Sequence, residues 1–112
     1  MSENNIKIAI AQINSTVGDL LGNMLKIISA SQKAAQQSAS LVIFPELAIC
    51  GYPPEDLILK DHFVQDCENM ISSLTAQLPE NITVIIGSPI TGNNKARNAA
   101  IICSGKQNAA SY

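Results

Sequence analysis

The sequence predicts an α/β domain, a mainly parallel central sheet with helices packed on it, and three observations predict it. Short runs of strand-forming apolar residues recur near residues 6–12, 41–44 and 82–86. The stretches between them are long enough for a helix and place apolar residues at helical spacing. Strands alternating with helix-length crossovers imply parallel pairing, with the helices lying against the sheet.

The elements follow in order. Ile6, Ile8 and Ile10 occupy every second position, so the first strand has one strongly apolar face. Asn14-Ser15 and Gly18-Asp19 supply turn chemistry. Leu21, Met24, Leu25, Ile28, Ala35 and Ala39 then form a helical stripe, with Lys26, Lys33 and Gln37 opposite. Either Asp19 or Asn23 suits the cap of this helix. Leu41-Val42-Ile43-Phe44 suits a strand buried on both faces, ended by Pro45, which has no N–H for a sheet. Pro53-Pro54-Glu55-Asp56 places a proline and two acids where the first turn of a short helix favours them. Asp61 can cap a second long helix with Phe63, Cys67, Met70, Ile71, Leu74 and Leu78 on its inner face, and Pro79 marks its end. Residues 82–86 form a buried strand closed by Gly87-Ser88-Pro89, and Gly92-Asn93-Asn94 is a loop. Residues 99–103 read as a strand, Ser104-Gly105-Lys106 as a turn, and residues 107–112 as a returning strand. The chain stops at Tyr112 inside an apparent element, which predicts further chain beyond it.

At 112 residues the chain allows one small domain at most. It is 46% hydrophobic and only 14% charged, where an average soluble domain is roughly 25% charged. That balance excludes intrinsic disorder, which needs low hydrophobicity and high net charge. It also predicts more apolar surface than so small a domain can cover, so further chain or a partner should cover the rest. A net charge of −2 provides no basic footprint for nucleic acid or an anionic membrane surface. No run is apolar for long enough to suggest a membrane span, and the first residues lack a cationic segment followed by an apolar signal core. Cys50, Cys67 and Cys103 are an odd set without CxxC spacing, and His62 is alone, so neither a disulfide framework nor a metal site is indicated. A reducing, cytoplasmic setting is expected. No GxxxxGK[ST] or GxGxxG occurs, so nucleotide binding within these residues has no support.

Glu46 is the only ionisable carboxylate between Leu41 and Cys50, among Phe44, Pro45, Leu47, Ala48 and Ile49. It directly follows a buried strand, and open α/β sheets collect ligands beyond the carboxyl ends of their strands. Desolvated there, a carboxylate would be suited to general-base work near neutral pH. The same residue also reads as a loop glutamate in water. Tyr52 could line a substrate pocket or pack its ring on the following prolines. Cys50 is four residues from Glu46 but reads as core packing, as do Cys67 and Cys103. His62 reads as a surface residue at a helix start.

Phe44-Pro45-Glu46-Leu47 followed by Gly51-Tyr52 resembles the first catalytic motif of the nitrilase, or carbon–nitrogen hydrolase, superfamily. Gly51-Tyr52-Pro53-Pro54-Glu55-Asp56-Leu57 narrows the resemblance to the amidohydrolase domains of glutamine-dependent NAD synthetases. Ala11-Gln12-Ile13-Asn14, Val17-Gly18-Asp19-Leu20, Gly22-Asn23, Gly87-Ser88-Pro89 and Asn98-Ala99-Ala100 match in type and order. The resemblance implies the N-terminal part, residues 1–112, of an αββα sandwich with a Glu–Lys–Cys catalytic set. Of that set only the glutamate has a counterpart, Glu46, as general base; the lysine and cysteine are expected beyond Tyr112. It further implies glutamine as substrate of this domain, with ATP, Mg and deamido-NAD handled by a separate synthetase domain that this chain lacks. The parent protein is expected to be a ligase that amidates deamido-NAD to NAD and to form homo-oligomers, while the 112-residue chain alone is expected to be inactive. A stand-alone amidase or nitrilase of the same superfamily is the alternative.

Overall fold

Why the chain layers as it does follows from which residues it buries. The computed structural model describes residues 5–52, 62–92 and 95–111. Its elements run β1 (Ile8–Ile10), α1 (Leu20–Gln36), β2 (Leu41–Ile43), α2 (Phe63–Thr75), β3 (Thr83–Gly92), β4 (Lys95–Ser104) and β5 (Gln107–Ser111). The five strands form one sheet in the order β1-β2-β3-β4-β5. β1, β2 and β3 are parallel, joined through α1 and α2, and β4 and β5 are added antiparallel. Parallel neighbours need a long crossover, and right-handed crossovers taken in one direction leave both helices on the same face.

That face holds the core. Ala9, Val42, Val84 and Cys103 are aligned across the sheet, followed by Ile86 and Ile101, and they pack beneath Ile27 and Ile28 of α1 and Cys67, Ile71 and Leu74 of α2. The other face, with Ile8, Ile10, Leu41, Ile43, Ile85 and Ile102, has no layer over it among the described residues. Ile8 is 52% and Ile10 75% exposed. One helical layer on one sheet is half of the sandwich that the sequence resemblance implies.

The register decides several points differently from the sequence pattern. The isoleucine face of β1 does not meet the helices; the small Ala9 does, together with Ala11. β2 is buried on one face only: Val42 is enclosed while Leu41 and Ile43 are half-buried. The inner face of α1 consists of Asn23, Met24, Ile27, Ile28, Ser31 and Ala34, leaving Leu21 56% and Leu25 54% exposed. The helix is rotated because Asn23 is held inside by hydrogen bonds to two loops. Asp19 is the cap, accepting the Gly22 N–H at 3.0 Å. The cap position of α2 falls on His62, exposed and left-handed at φ 71°, with no side-chain capping bond. α2 ends at Thr75, before Pro79, and adds Val64 and Thr75 to the expected face. Asp61 as a cap, and the short helix expected near Glu55 and Asp56, lie outside the described residues.

Gly87-Ser88-Pro89 does not close β3. The strand continues to Gly92, paired with β4 throughout, whereas β2 leaves it at Ile85. Proline is tolerated on a strand that has lost one neighbour. β4 and β5 are joined by Gly105 and Lys106, both with positive φ (60° and 65°), the two-residue turn whose twist matches a hairpin. Among the described residues, no helix is long and apolar enough to cross a membrane.

Candidate active site

The chain bends at Pro45, and residues 45–51 turn back over the carboxyl end of the sheet. Leu47 adopts φ 54° and Gly51 φ 84°, while Leu47, Ala48, Ile49 and Cys50 are all buried. The turn is plugged into the core by its apolar side, which leaves Glu46 at the surface. Its backbone is fastened from two directions. The Phe44 N–H donates to the Ile85 carbonyl at 2.9 Å, and the Ile49 N–H to the Gly87 carbonyl at 3.3 Å. On the opposite flank, Asn23 accepts the Thr16 N–H at 2.8 Å and donates to the carbonyls of Thr16 at 2.8 Å and Ile49 at 2.9 Å. The Ser15 hydroxyl donates to the Ala48 carbonyl at 2.7 Å.

Glu46 therefore stands beyond the carboxyl end of β2, where the loop after β1 also arrives. The Asn98 side-chain amide, from β4, donates to Glu46 Oε1. A cavity of about 290 Å³ opens along the uncovered face, bordered by Glu46, Ile43, Ile85 and Asn98. A second, of about 180 Å³, lies on the other side of Glu46, bordered by Asn14, Ser15 and Tyr52. The desolvation expected of Glu46 is absent: the side chain is exposed, and among the described residues no layer covers the adjoining sheet face. Tyr52 is 67% exposed, so its ring faces the small cavity rather than the core. Pro53 and Pro54, its expected packing partners, lie outside the described residues.

A carbon-nitrogen hydrolase profile matches residues 7–112. The chain belongs to that family. Among curated relatives, it is 39% identical over 89 residues to the glutamine-dependent NAD(+) synthetase of Synechocystis sp., covering 80% of this chain and 16% of that protein. It is 37% identical over 99 residues to the Thermotoga maritima protein of the same name, covering 87% and 17%. The chain thus spans about a sixth of the length of these relatives. Its fold superposes on a crystal structure of a glutamine-dependent NAD(+) synthetase from Cytophaga hutchinsonii with a TM-score of 0.85 and 28% identity, covering 90% of this chain and 17% of that one. An amidase from Nesterenkonia sp. superposes with a TM-score of 0.81 over 100% of this chain and 43% of its own, at 22% identity, which shows the shared fold.

The nucleophilic thiol that the resemblance implies has three candidates in this chain, and all three are ill placed for the role. Cys50, Cys67 and Cys103 are free and buried. A hydrogen bond from Cys67 lowers the Cys50 thiol against the opposing effect of burial. That bond, with burial, pushes the Cys67 thiol up. Burial raises Cys103. Cys50 is completely enclosed and its sulfur is directed at the Gly51 carbonyl, 3.4 Å away, so no substrate can reach it from the Glu46 clefts. Among the described residues no three His, Cys, Asp or Glu side chains gather closely enough to hold a metal ion.

In the sequence Asn23 reads as a helix cap and part of a matching word, Gly87 as the close of a strand and part of another, and Asn98 as part of a third; none of them reads as a neighbour of Glu46. Asn98 offers one signal in hindsight: it is a polar residue opening an otherwise apolar strand run.

Proposed function

We propose that this chain is the N-terminal portion of the glutamine-hydrolysing domain of a glutamine-dependent NAD synthetase, with Glu46 as its general base. The observation supporting the reading most is the position of Glu46 itself. It is the single acid on a tightly fastened turn at the carboxyl end of a parallel strand, facing two clefts, in a chain 37–39% identical to synthetases of that name.

Glu46 takes the proton of a cysteine thiol, and the thiolate attacks the amide carbon of L-glutamine. A lysine stabilises the oxyanion, and ammonia leaves with a proton returned by the acid. Water, deprotonated by the same carboxylate, then cleaves the thioester to glutamate. Both lysine and cysteine belong to chain beyond Tyr112, so residues 1–112 alone are inactive. Tyr52 contributes to binding glutamine in the smaller cleft. ATP, Mg and deamido-NAD bind a synthetase domain outside this chain, where ammonia amidates adenylated deamido-NAD to NAD. The parent enzyme is cytoplasmic and homo-oligomeric.

Full-length protein assayed with deamido-NAD and ATP should form NAD with either glutamine or ammonium as nitrogen donor. Glu46→Gln should abolish the glutamine-supported rate and leave the ammonium-supported rate intact. Absence of glutamine-supported NAD formation, or an unimpaired Glu46→Gln variant, overturns the reading. Glutamine hydrolysis by the purified 112-residue chain overturns the inactivity of the isolated piece.

A further inference from the structure

We propose that Asn98 is the positioning residue of the glutaminase site: it holds one oxygen of the Glu46 carboxylate so that the other is presented to the nucleophilic thiol. The inference rests on the reading of Glu46 as the base and adds a residue 52 positions away that acts through it.

Two features bring the residues together. Strand alternation turns Ala99, Ile101 and Cys103 of β4 to the helices and puts Asn98, Ala100 and Ile102 on the open face. Register then sets Asn98 opposite Pro89, one pleat beyond the Gly87–Ala100 pair, and Gly87 is where the backbone of residues 45–47 lies directly on β3. The result is that the Asn98 amide meets Glu46 Oε1 at the border of the larger cleft.

The chemistry suits positioning. An exposed glutamate has three side-chain torsions to restrain, and a base must be held close to its productive geometry. A carboxamide does this without adding charge. Its Nδ2 is a donor and the ionised carboxylate only accepts, so the reverse amide orientation would set two acceptors against each other. Among the described residues no other hydrogen bond reaches the Glu46 carboxylate, which leaves Oε2 free to take a proton. Asn98 is itself exposed, so it contributes little packing for a substitution to disrupt.

The test uses the full-length protein and its glutamine-supported rate. Asn98→Ala should lower kcat about 10–100-fold with KM within about twofold, while the ammonium-supported rate and the thermal midpoint stay at wild-type values. Asn98→Asp should lose at least as much, since two carboxylates would then face one another. The decisive arm is coupling: in a Glu46→Gln background, Asn98→Ala should cause no further loss. If turnover of Glu46→Gln is below detection, the rate at which iodoacetamide alkylates the nucleophilic thiol reads the same coupling. A wild-type kcat in Asn98→Ala, or a loss that multiplies in full with that of Glu46→Gln, overturns the proposal. Full activity in Glu46→Gln instead overturns the base assignment beneath it, so the two failures are told apart by separate variants.

Discussion

Gly87 and Glu46 are in backbone contact so close that no side chain fits between them. A Cβ on Gly87 would lie 2.9 Å from the Glu46 carbonyl carbon, 2.7 Å from the Pro45 carbonyl oxygen and 2.3 Å from the Leu47 nitrogen. The acid stands where it does because a strand position two beyond the last β2–β3 pair lacks a Cβ.

Gly87→Ala is therefore expected to destabilise the fold by about 1–3 kcal/mol, the usual cost of overpacking an interior that cannot give way. The obstructing atoms are main chain, so no rotamer change relieves them. Chemical denaturation checks this, and a variant as stable as wild type would show that the turn is free to move off β3.

Asn23 and Leu21 should behave opposite to their hydropathy. Asn23→Ala leaves the Thr16 N–H and two carbonyls without partners, and is expected to cost about 2–4 kcal/mol. Leu21→Ala, on the exposed side of α1, should cost less than about 0.5 kcal/mol. Urea unfolding of both variants decides whether the buried face is the one centred on Asn23 or the one that hydropathy suggests.

The isolated 112-residue chain should self-associate through its uncovered sheet face. Ile8 and Ile10 lie there on β1, a strand at the sheet's edge, and edge pairing and apolar contact act together at such a place. Sedimentation should show oligomers or aggregates, shifted toward monomer by Ile10→Lys. A monodisperse monomer of the unsubstituted chain would contradict this.

Above roughly pH 9, where Cys50 is ionised in both states, rising pH should destabilise the chain through Cys67 and Cys103. Cys67 and Cys103 are raised in the folded state, so above roughly pH 8.5–9 the unfolded thiols lose protons that the folded ones keep. The unfolded state then binds fewer protons, and stability falls as pH rises. Below that range the two thiols contribute no pH dependence. Cys103→Ala should make the alkaline slope shallower by up to about 1.4 kcal/mol per pH unit, measured by denaturant unfolding at several pH values. An unchanged slope would mean that Cys103 ionises alike in both states.

Much of the architecture was legible in the residues. The order of elements, the proline that ends β2, the Gly105-Lys106 turn and the two crossover helices all follow from local chemistry: torsional preference, missing donors and apolar spacing. What misled was the assumption that the most hydrophobic side of each element faces the core. β1 turns its isoleucines outward and α1 its Leu21 and Leu25: the helices settle over Ala9, Val42 and Val84, and Asn23 is held inside by three hydrogen bonds to the loops beside it. Such contacts join residues far apart in the chain, and periodicity within one element does not register them.

The sequence by itself determined an α/β chain of the carbon–nitrogen hydrolase family and pointed to one acid after the second strand, because strand ends, turns and motif words are written in consecutive residues. Only the tertiary structure decided what surrounds that acid: Gly87 beneath its backbone, Asn98 against its carboxylate, Asn23 bracing its turn, and two clefts to either side. Those neighbours come from four separate segments and meet only when the sheet register is set. Position in space, unlike residue type, is a property of the whole packed chain.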